Sequence, residues 1–397
     1  MNDADLSIRA GTIPPQKWPF PLAPTRQRQA AAAFRRAAGE LLALKAEVTL
    51  DDPMRAAFLI NRLPRGASAW PVPTRITLDT DLPAAVSAIL VPVLVDNGPE
   101  DFVVVWPLEA NGCALIGPTE ARLIGTWSDG IVTAFAIADG QIGMAVAPDS
   151  DGARAEVRVA PLTGLQAGPW KSLSAGDLPC ADDELVTAMA LFGGHVYAAK
   201  GNARGGFELW RAPLEGSGDW ALVIPRGGWR YGSSPSVTAM AVVADRLFVA
   251  ARGADRSEVR VGDEYPEILA VDRDGGWRIF CGQDRFSPTG LLLPEAPVGT
   301  ASSRHAGMAI GGIEPEGDGG LRIWLKPLDP DLVIAQVMSW SPGGAGWQVE
   351  REVAVGSMDV LTLVTLKSGG GLVTSAKDFA HGNAQDPGDW PVLQVLD

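Results

Sequence analysis

The chain has 397 residues, 46% of them hydrophobic, and a formal net charge of −14 at pH 7. Because an acidic surface repels phosphate backbones, this charge argues against a nucleic-acid partner. No apolar run reaches the roughly 18–20 residues that span a bilayer, and no basic stretch followed by an apolar one opens the chain, so the sequence predicts neither a membrane partner nor a secretory signal.

The three cysteines, Cys113, Cys180 and Cys281, are odd in number and far apart. This spacing does not suit a disulfide framework, and no closely spaced Cys or His pair suggests a metal site. No glycine-rich phosphate loop or nucleophile elbow is present either. The sequence therefore predicts a cytoplasmic protein with reduced thiols, no cofactor and no metal.

The first segment of the chain is predicted to be an arm followed by one α-helix. Residues 12–24, TIPPQKWPFPLAP, are rich in proline, which fixes φ and lacks an N–H, and they read as an extended arm. Residues 25–46 place Phe34, Leu41 and other apolar residues at helical spacing, which predicts a helix. Together they form a predicted domain, residues 1–48, that either packs on the rest of the chain or docks a partner.

A repeated pattern fills the middle of the chain. The segments IVTAFAIADGQIGMAV (131–146), LVTAMALFGGHVYAAK (185–200) and SVTAMAVVADRLFVAA (236–251) begin roughly 50 residues apart. Each alternates apolar and small residues, turns at Gly or Asp, and alternates again, which predicts a β-hairpin. Weaker copies start at His305 and Val360.

A third predicted strand follows the hairpins and several times ends in Pro-Leu, as in GFELWRAPL (206–214). A turn that ends in tryptophan then opens a fourth strand, at Trp220 and again at Trp277 and Trp347. Because these tryptophans recur with the repeat, we expect them to fill the space between neighbouring sheets, with stacking on a ligand as the alternative.

A unit of four antiparallel strands is too small to bury both of its faces alone, but radial stacking of such sheets buries them. The predicted fold class is therefore all-β, a β-propeller of four-stranded blades over residues 49–397. Six blades are favoured, and seven, with strands drawn from both ends of the chain, are the alternative.

The stretch VTAMALFGGHVYAAKGNARGGFELWR (186–211), followed by GSGDWALV, resembles the blades of bacterial β-propeller repeat proteins, which have the form VTxLAxFxGxLYxG, GxEVWR and DGxxW. The resemblance extends well over residues 131–290, loosely over 305–397, and over 83–125 only by the third strand. It implies a fold and no particular activity, because one fold serves many functions.

In such blades the loops between the second and third strands lie at the same end as the connections between blades, around the mouth of the channel. Several basic residues in these loops are expected to bind a small anionic ligand. The alternative is that they are simply solvated. The predicted ligand-binding residues are Lys200, Arg204, Arg252, Arg256, Tyr265, Arg304 and His381.

Catalysis at the same end would depend on His305. With Glu184 or Asp359 beside it, this histidine would make a general acid–base pair. The sequence has no HxH or HExxH spacing, so a metal site is not predicted there.

Residues 253–304 depart from the repeat by their extra length. Long structured loops on a regular scaffold often carry function, so this segment, with Arg256, Tyr265, Arg285 and Phe286, is the first candidate for a contact surface.

Two functions remain open from the sequence. The first, favoured because no strong catalytic motif is present, is a binding module that recognises a protein partner or a small ligand through its loop face. The alternative is a propeller enzyme, a lyase, hydrolase or cyclase, acting on a small anionic substrate at the channel mouth.

Overall fold

The computed structural model describes residues 27–35, 40–49, 55–64, 67, 70–78, 93–96, 102–108, 112–124, 130–148, 155–173, 178, 184–202, 206–215, 219–229, 236–252, 267–282, 284–296, 308–316, 319–327, 334–354, 361–364, 371–375 and 393–396. Within these ranges the chain forms strands and one short 3-10 turn, Arg226–Trp229, and no α-helix. A helix long and apolar enough to cross a membrane is accordingly absent from the described residues.

The strands are short, and in chain order they are β1 (Gln27–Arg35), β2 (Leu41–Thr49), β3 (Arg55–Leu63), β4 (Thr74–Thr77), β5 (Val93–Asp96), β6 (Phe102–Leu108), β7 (Gly112–Ile116), β8 (Ala121–Ile124), β9 (Gly130–Ala138), β10 (Gln141–Pro148), β11 (Glu156–Thr163), β12 (Gln166–Ala167), β13 (Lys171–Ser172), β14 (Leu185–Phe192), β15 (His195–Asn202), β16 (Gly206–Pro213), β17 (Ala221–Ile224), β18 (Ser236–Val243), β19 (Arg246–Arg252), β20 (Glu267–Asp272), β21 (Trp277–Cys281), β22 (Arg285–Ser287), β23 (Gly290–Leu292), β24 (Met308–Glu316), β25 (Gly320–Pro327), β26 (Ile334–Trp340), β27 (Gln348–Ala354), β28 (Leu361–Val364), β29 (Gly371–Ser375) and β30 (Leu393–Leu396).

The sheets are antiparallel, and neighbours in sequence are neighbours in space except for β13, which pairs with β11. Five sheets have four strands, β1–β4, β5–β8, β14–β17, β18–β21 and β24–β27, and a fifth strand joins the sheet β9–β13. The strands β28–β30 form a three-stranded sheet, and β22 and β23 form a separate hairpin. The predicted all-β fold of four-stranded units is confirmed, and the described part of the chain contains six sheets of at least four strands and a seventh of three.

The predicted helix over residues 25–46 is wrong. Gln27–Arg35 and Leu41–Thr49 are strands that pair from Gln27↔Thr49 to Arg35↔Leu41, and β2 also pairs along its length with β3. Burial explains the failure, because residues 42–47 are all buried in the middle of a sheet. Tertiary packing on both faces of β2 overrides the helical propensity of this alanine-rich stretch. The sheet β1–β4 extends across the boundary predicted at residue 48, and the proline-rich arm lies outside the described residues.

The chain divides into two compact units, Ser128–Arg351 and the pair of segments Met1–Trp127 and Glu352–Asp397. In the unit Ser128–Arg351 the first strands of successive sheets, β9, β14, β18 and β24, contact one another in chain order. The hydroxyl of Thr238 in β18 donates a hydrogen bond to the carbonyl of Ile310 in β24 (2.6 Å). First strands side by side, each starting a meander, are the arrangement of propeller blades.

The unit Met1–Trp127 with Glu352–Asp397 has its own buried core. The sheet β1–β4 buries a nearly unbroken apolar run in β3, including Phe58 and Ile60, and the sheet β5–β8 buries Phe102 and Leu115. Two charged groups also lie in this core: Lys45 and Glu47 are both buried and form a salt bridge (3.1 Å). Burial lowers the pKa of Lys45, although the hydrogen bond and charge of Glu47 oppose that effect.

Two of the predicted tryptophans lie between sheets. The indole N–H of Trp220 donates to the carbonyl of Leu173 in the preceding sheet region (3.1 Å), and that of Trp347 donates to the carbonyl of Ala296 (3.1 Å). Trp220 is buried in a core shared by β9–β13 and β14–β17. The structural interpretation of these two tryptophans is therefore confirmed.

The cysteines Cys113 and Cys281 are free and buried. Burial raises the pKa of the Cys113 thiol, which makes it a poor nucleophile. In the described ranges no cluster of three His, Cys, Asp or Glu side chains could hold a metal ion.

The hydroxyl that joins β18 to β24 gives a matched pair of variants. Thr238→Val leaves the buried carbonyl of Ile310 without this donor, so we expect a loss of about 1 kcal/mol in the free energy of unfolding. Thr187 occupies the same bulge position in β14, but its buried hydroxyl oxygen has no hydrogen-bond partner within the described residues. Thr187→Val should be neutral or stabilising in the same urea titration, and equal losses in both variants would contradict the assignment.

Candidate functional site

Most of the residues that the sequence proposed for a site lie outside the described residues, and their roles stay predictions. Arg252 ends β19, and only its backbone is described. Glu184 and Lys200 are described in full. The residues outside are His305, Asp359, Arg204, Arg256, Tyr265, Arg304 and His381.

Glu184 and Lys200 are brought together as a buried ion pair. Glu184 directly precedes β14, and Lys200 lies in β15 opposite Val186. Their side chains are 3% exposed each, and the ammonium nitrogen of Lys200 is 2.6 Å from Oε2 of Glu184. The predicted acid–base residue and the predicted ligand-binding residue are thus partners of each other.

Glu208 and Arg226 complete a four-residue ion cluster at this end of the sheet. Lys200 lies directly opposite Glu208 in the register of β15 and β16, with Nζ 3.2 Å from Oε2. Arg226, which follows β17 and is half-exposed, contacts Glu184 (2.7 Å) and Glu208 (3.2 Å). Because each carboxylate lies between two cations, the cluster is neutral as a whole, and it holds four segments of one blade together.

The pKa of Glu208 reflects this setting. Burial alone would raise it, but the hydrogen bond from the indole of Trp210 (2.9 Å) and the cations Lys200 and Arg226 outweigh burial and hold the pKa below its ordinary value. Glu208 is therefore a stable anion at neutral pH, fixed in place by its partners.

The next blade repeats the arrangement with Glu267 and Arg285. Glu267 begins β20 opposite Ala251, as Glu208 lies near the start of β16 opposite Lys200. In each blade the arginine follows 18 residues after the glutamate. Glu267 and Arg285 are both buried and form a salt bridge. We name the two glutamate–arginine pairs, Glu208–Arg226 and Glu267–Arg285, the blade latches.

Arg285 also binds the preceding blade. Its Nη1 donates to the carbonyl oxygens of Gly228 (3.0 Å) and Gly227 (3.3 Å), both in the turn that carries Arg226. Arg285 therefore holds the turn that carries Arg226, which follows β17, against the start of β22.

The turn Arg226–Trp229 has an unusual backbone. Gly227 (φ 60°) and Gly228 (φ 57°) are left-handed, and so is Trp229 (φ 64°). Gly228 is tightly packed, because a Cβ there would lie 3.2 Å from Leu269 Cδ1 and 3.4 Å from Arg285 Nη1. Glycine is thus required at this point by both conformation and space.

The hairpin of β22 and β23 has two different faces. Arg285 pairs with Leu292, and Leu292 packs on the buried core of the two blades. Phe286 pairs with Leu291, and side chains alternate along a strand, so these two lie on the opposite face. They are 79% and 49% exposed, and Leu293 beyond them is 65% exposed. We name Phe286, Leu291 and Leu293 the hairpin outer face.

Sequence reasoning missed the blade latches but could have found them. Glu208 is the glutamate of the GFELWR motif, and the arginine 18 residues later recurs in the next blade. The segment containing Phe286 was identified from its extra length, although its outward-facing apolar residues were not.

No protein-family model and no curated protein matches the chain. Among solved structures it is similar to the β-propeller domain of the Trilobed protease from Pyrococcus furiosus, with 8% identity over 94% of this chain and 95% of that one and a TM-score of 0.44. It is also similar to a polysaccharide lyase, with 10% identity, 92% and 89% coverage and a TM-score of 0.46.

A third similar structure is the fungal lectin of Aleuria aurantia, described as a six-bladed β-propeller, with 13% identity, 84% and 97% coverage and a TM-score of 0.40. At this level of identity and superposition, none of these likenesses bears on what the chain binds or does.

The lowered pKa of Glu208 predicts how the stability of the protein depends on pH. Its charged form stabilises the fold above its ordinary pKa of 4.5, and this contribution is lost as pH falls through the lower pKa of the folded state. Glu208→Gln should lower the free energy of unfolding by about 2 kcal/mol at pH 7. In urea titrations, the difference in this free energy between the variant and the wild type should become smaller below pH 4.5.

Glu316 serves as the control, because its pKa is shifted in the direction opposite to that of Glu208. Burial raises its pKa, Arg322 opposes this, and Glu350 adds to it. A raised pKa in the folded state means that protonation stabilises the fold, so the wild type should gain stability relative to Glu316→Gln as pH falls. The same slope for both variants would contradict the assignment.

The second blade latch can be tested by a double-mutant cycle. Arg285→Met leaves the carboxylate of Glu267 buried without its cation, which should cost about 3–5 kcal/mol. The double variant Glu267→Met/Arg285→Met removes both charges and should recover most of that loss. If the losses of unfolding free energy in the two single variants instead add up in the double variant, as measured by thermal unfolding, the two side chains act independently.

Proposed function

We propose that the protein is a binding module that docks a protein partner through the hairpin outer face. The observation that carries this proposal is the exposure of Phe286, Leu291 and Leu293 on one face of a hairpin whose other face is anchored in the core. The solvent side of an antiparallel hairpin is normally polar, and contiguous exposed apolar side chains mark interaction sites.

The hairpin is preorganised for binding. Arg285 is buried, forms a salt bridge with Glu267 and donates to two backbone carbonyls of the preceding turn. A surface that is already rigid loses less conformational entropy when a partner docks on it. Two-stranded hairpins are only marginally stable alone, so these anchors also account for its order.

Charge indicates the chemistry of the partner. The segment FSPTGLLL (286–293) has no charged residue, and the exposed Asp284 stands at its start. The chain as a whole has a net charge of −14. Interfaces have an uncharged centre and a polar rim, and opposite charge guides association. We therefore propose a different protein with an apolar centre and a basic rim, because a second copy of this acidic chain would be repelled.

The described part of the predicted channel mouth gives less support to catalysis or to anion binding. A general acid–base group must come within hydrogen-bond reach of the substrate. The carboxylate of Glu184 is buried and paired with Lys200 and Arg226, and the ammonium of Lys200 is engaged by Glu184 and Glu208. These charges already satisfy one another, whereas the hairpin outer face has no partner among the described residues.

Site-specific photo-cross-linking tests the proposal in the cells from which the protein comes. A benzophenone amino acid replaces Phe286, and the control replaces Leu222, an exposed leucine of β17. We expect a discrete cross-linked protein from position 286 and none from position 222. Cross-linking to a second copy of the chain, or the same products from both positions, would overturn the proposal.

The purified cross-linked protein then serves as the probe for affinity. The variant Phe286→Ser/Leu291→Ser/Leu293→Ser should weaken its binding by about 30-fold or more, since buried anchors dominate interface energetics. Its unfolding midpoint should remain unchanged because these side chains are exposed. Leu222→Ser is the matched control, and the association rate should fall as salt is added. Unchanged affinity in the triple variant would refute the assignment.

A further inference from the structure

Trp229 is a large side chain in a backbone conformation that disfavours it. Its φ is 64°, in the left-handed region, where a side chain other than glycine's costs free energy. The two preceding residues, Gly227 and Gly228, adopt the same region as glycines. A third glycine would adopt this conformation without that cost.

Within the described residues only two other non-glycine residues have a positive φ, Asp139 and Ala244. Both are small or polar and lie in tight hairpin turns, between β9 and β10 and between β18 and β19. Their conformation is accounted for by the turn. Trp229 is in no such hairpin, and bulky residues in this region are outliers that often mark functional sites.

Hydrogen bonds and ring contacts do not account for Trp229 either. Its side chain is 42% exposed, and the indole makes no hydrogen bond or ring contact with any described residue. In contrast, Trp220 and Trp347 are held by hydrogen bonds between sheets. Trp229 therefore lacks the structural role of the repeated tryptophans, and it does not share their place in the blade.

We infer that Trp229 is a contact residue for the protein partner that docks on the hairpin outer face. The turn and β22 are adjacent, with Cα atoms within 8 Å of one another. Arg285 fixes this geometry through the carbonyls of Gly227 and Gly228. The inference rests on the proposed function and extends the docking surface from one blade to the preceding one.

Trp229 defines what the partner must offer. Tryptophan supplies a large contact area at a low cost in rotamer entropy, and its N–H needs an acceptor when it becomes buried. The partner should therefore present an apolar pocket with a hydrogen-bond acceptor beside the region that covers Phe286. Tryptophan is also the residue type most enriched at binding hot spots.

Two substitutions at one position separate binding from stability. Trp229→Ala and Trp229→Gly both remove the indole, and the glycine also relieves the backbone strain. We expect both variants to bind the partner cross-linked at position 286 about 30-fold more weakly than the wild type. The glycine variant should unfold at a higher urea midpoint than the alanine variant.

Ala244→Gly is the matched control for strain. It relieves a positive φ of 52° without removing a large side chain. Its urea midpoint should rise by about the amount that separates Trp229→Gly from Trp229→Ala, and its partner affinity should equal that of the wild type.

The outcomes distinguish this inference from the proposed function. Loss of binding in the hairpin triple variant with wild-type affinity in both Trp229 variants would overturn the role of Trp229 and leave the docking surface in place. Loss of binding in the Trp229 variants alone would support Trp229 and refute the hairpin. Wild-type affinity in all of them would refute both. Affinity could instead follow the urea midpoint, so that the alanine variant binds more weakly than the glycine variant. That result would make Trp229 a structural residue.

Discussion

The buried salt bridge between Arg285 and Glu267 connects the two segments through which we propose that a partner is recognised. Arg285 belongs to the hairpin, Glu267 to the third strand of its blade, and the two carbonyls that Arg285 binds to the turn after the preceding blade. Burying both charges is costly unless they are paired and hydrogen-bonded. The same bonds that compensate this cost fix the hairpin and the turn relative to each other. Without this pair, Phe286 and Trp229 would sit on two independent loops.

At this end of the blades several charged side chains are buried and several apolar side chains are exposed, which is the reverse of their usual distribution. Glu184, Lys200 and Glu208 are charged but buried, where they hold strands and connections in position. Phe286, Leu291 and Leu293 are apolar but exposed. Exposed apolar side chains that lie together on a protein surface often mark a binding site. The residues that stabilise the blades and those proposed to bind a partner are thus different, although they are close along the chain.

Much of the architecture could be predicted from the sequence, because the period-2 alternation and the recurrence of hairpins depend only on local residue pattern. The helix over residues 25–46 failed since burial of β2 on both faces is a tertiary property that an alanine-rich sequence does not reveal. The site was harder for a similar reason. Lys200 and Glu184 were predicted to be loop residues of a ligand-binding or catalytic site, and only the strand register shows that Lys200 faces Glu208. The extra length of residues 253–304 did mark the hairpin in advance, but nothing in the sequence indicated the left-handed backbone of Trp229.

The meander topology of the sheets has a consequence for folding. Apart from β13, which pairs with β11, every strand pairs with a neighbour in sequence, so each blade can form through local contacts and should form quickly. The bond from Arg285 to Gly227 is different because 58 residues separate its partners, which lie in successive blades. It can form only after both blades exist, and it belongs to the last steps of assembly. A nascent or partly unfolded chain therefore lacks the joined surface, and a partner that requires both halves would recognise only molecules in which two blades have already folded.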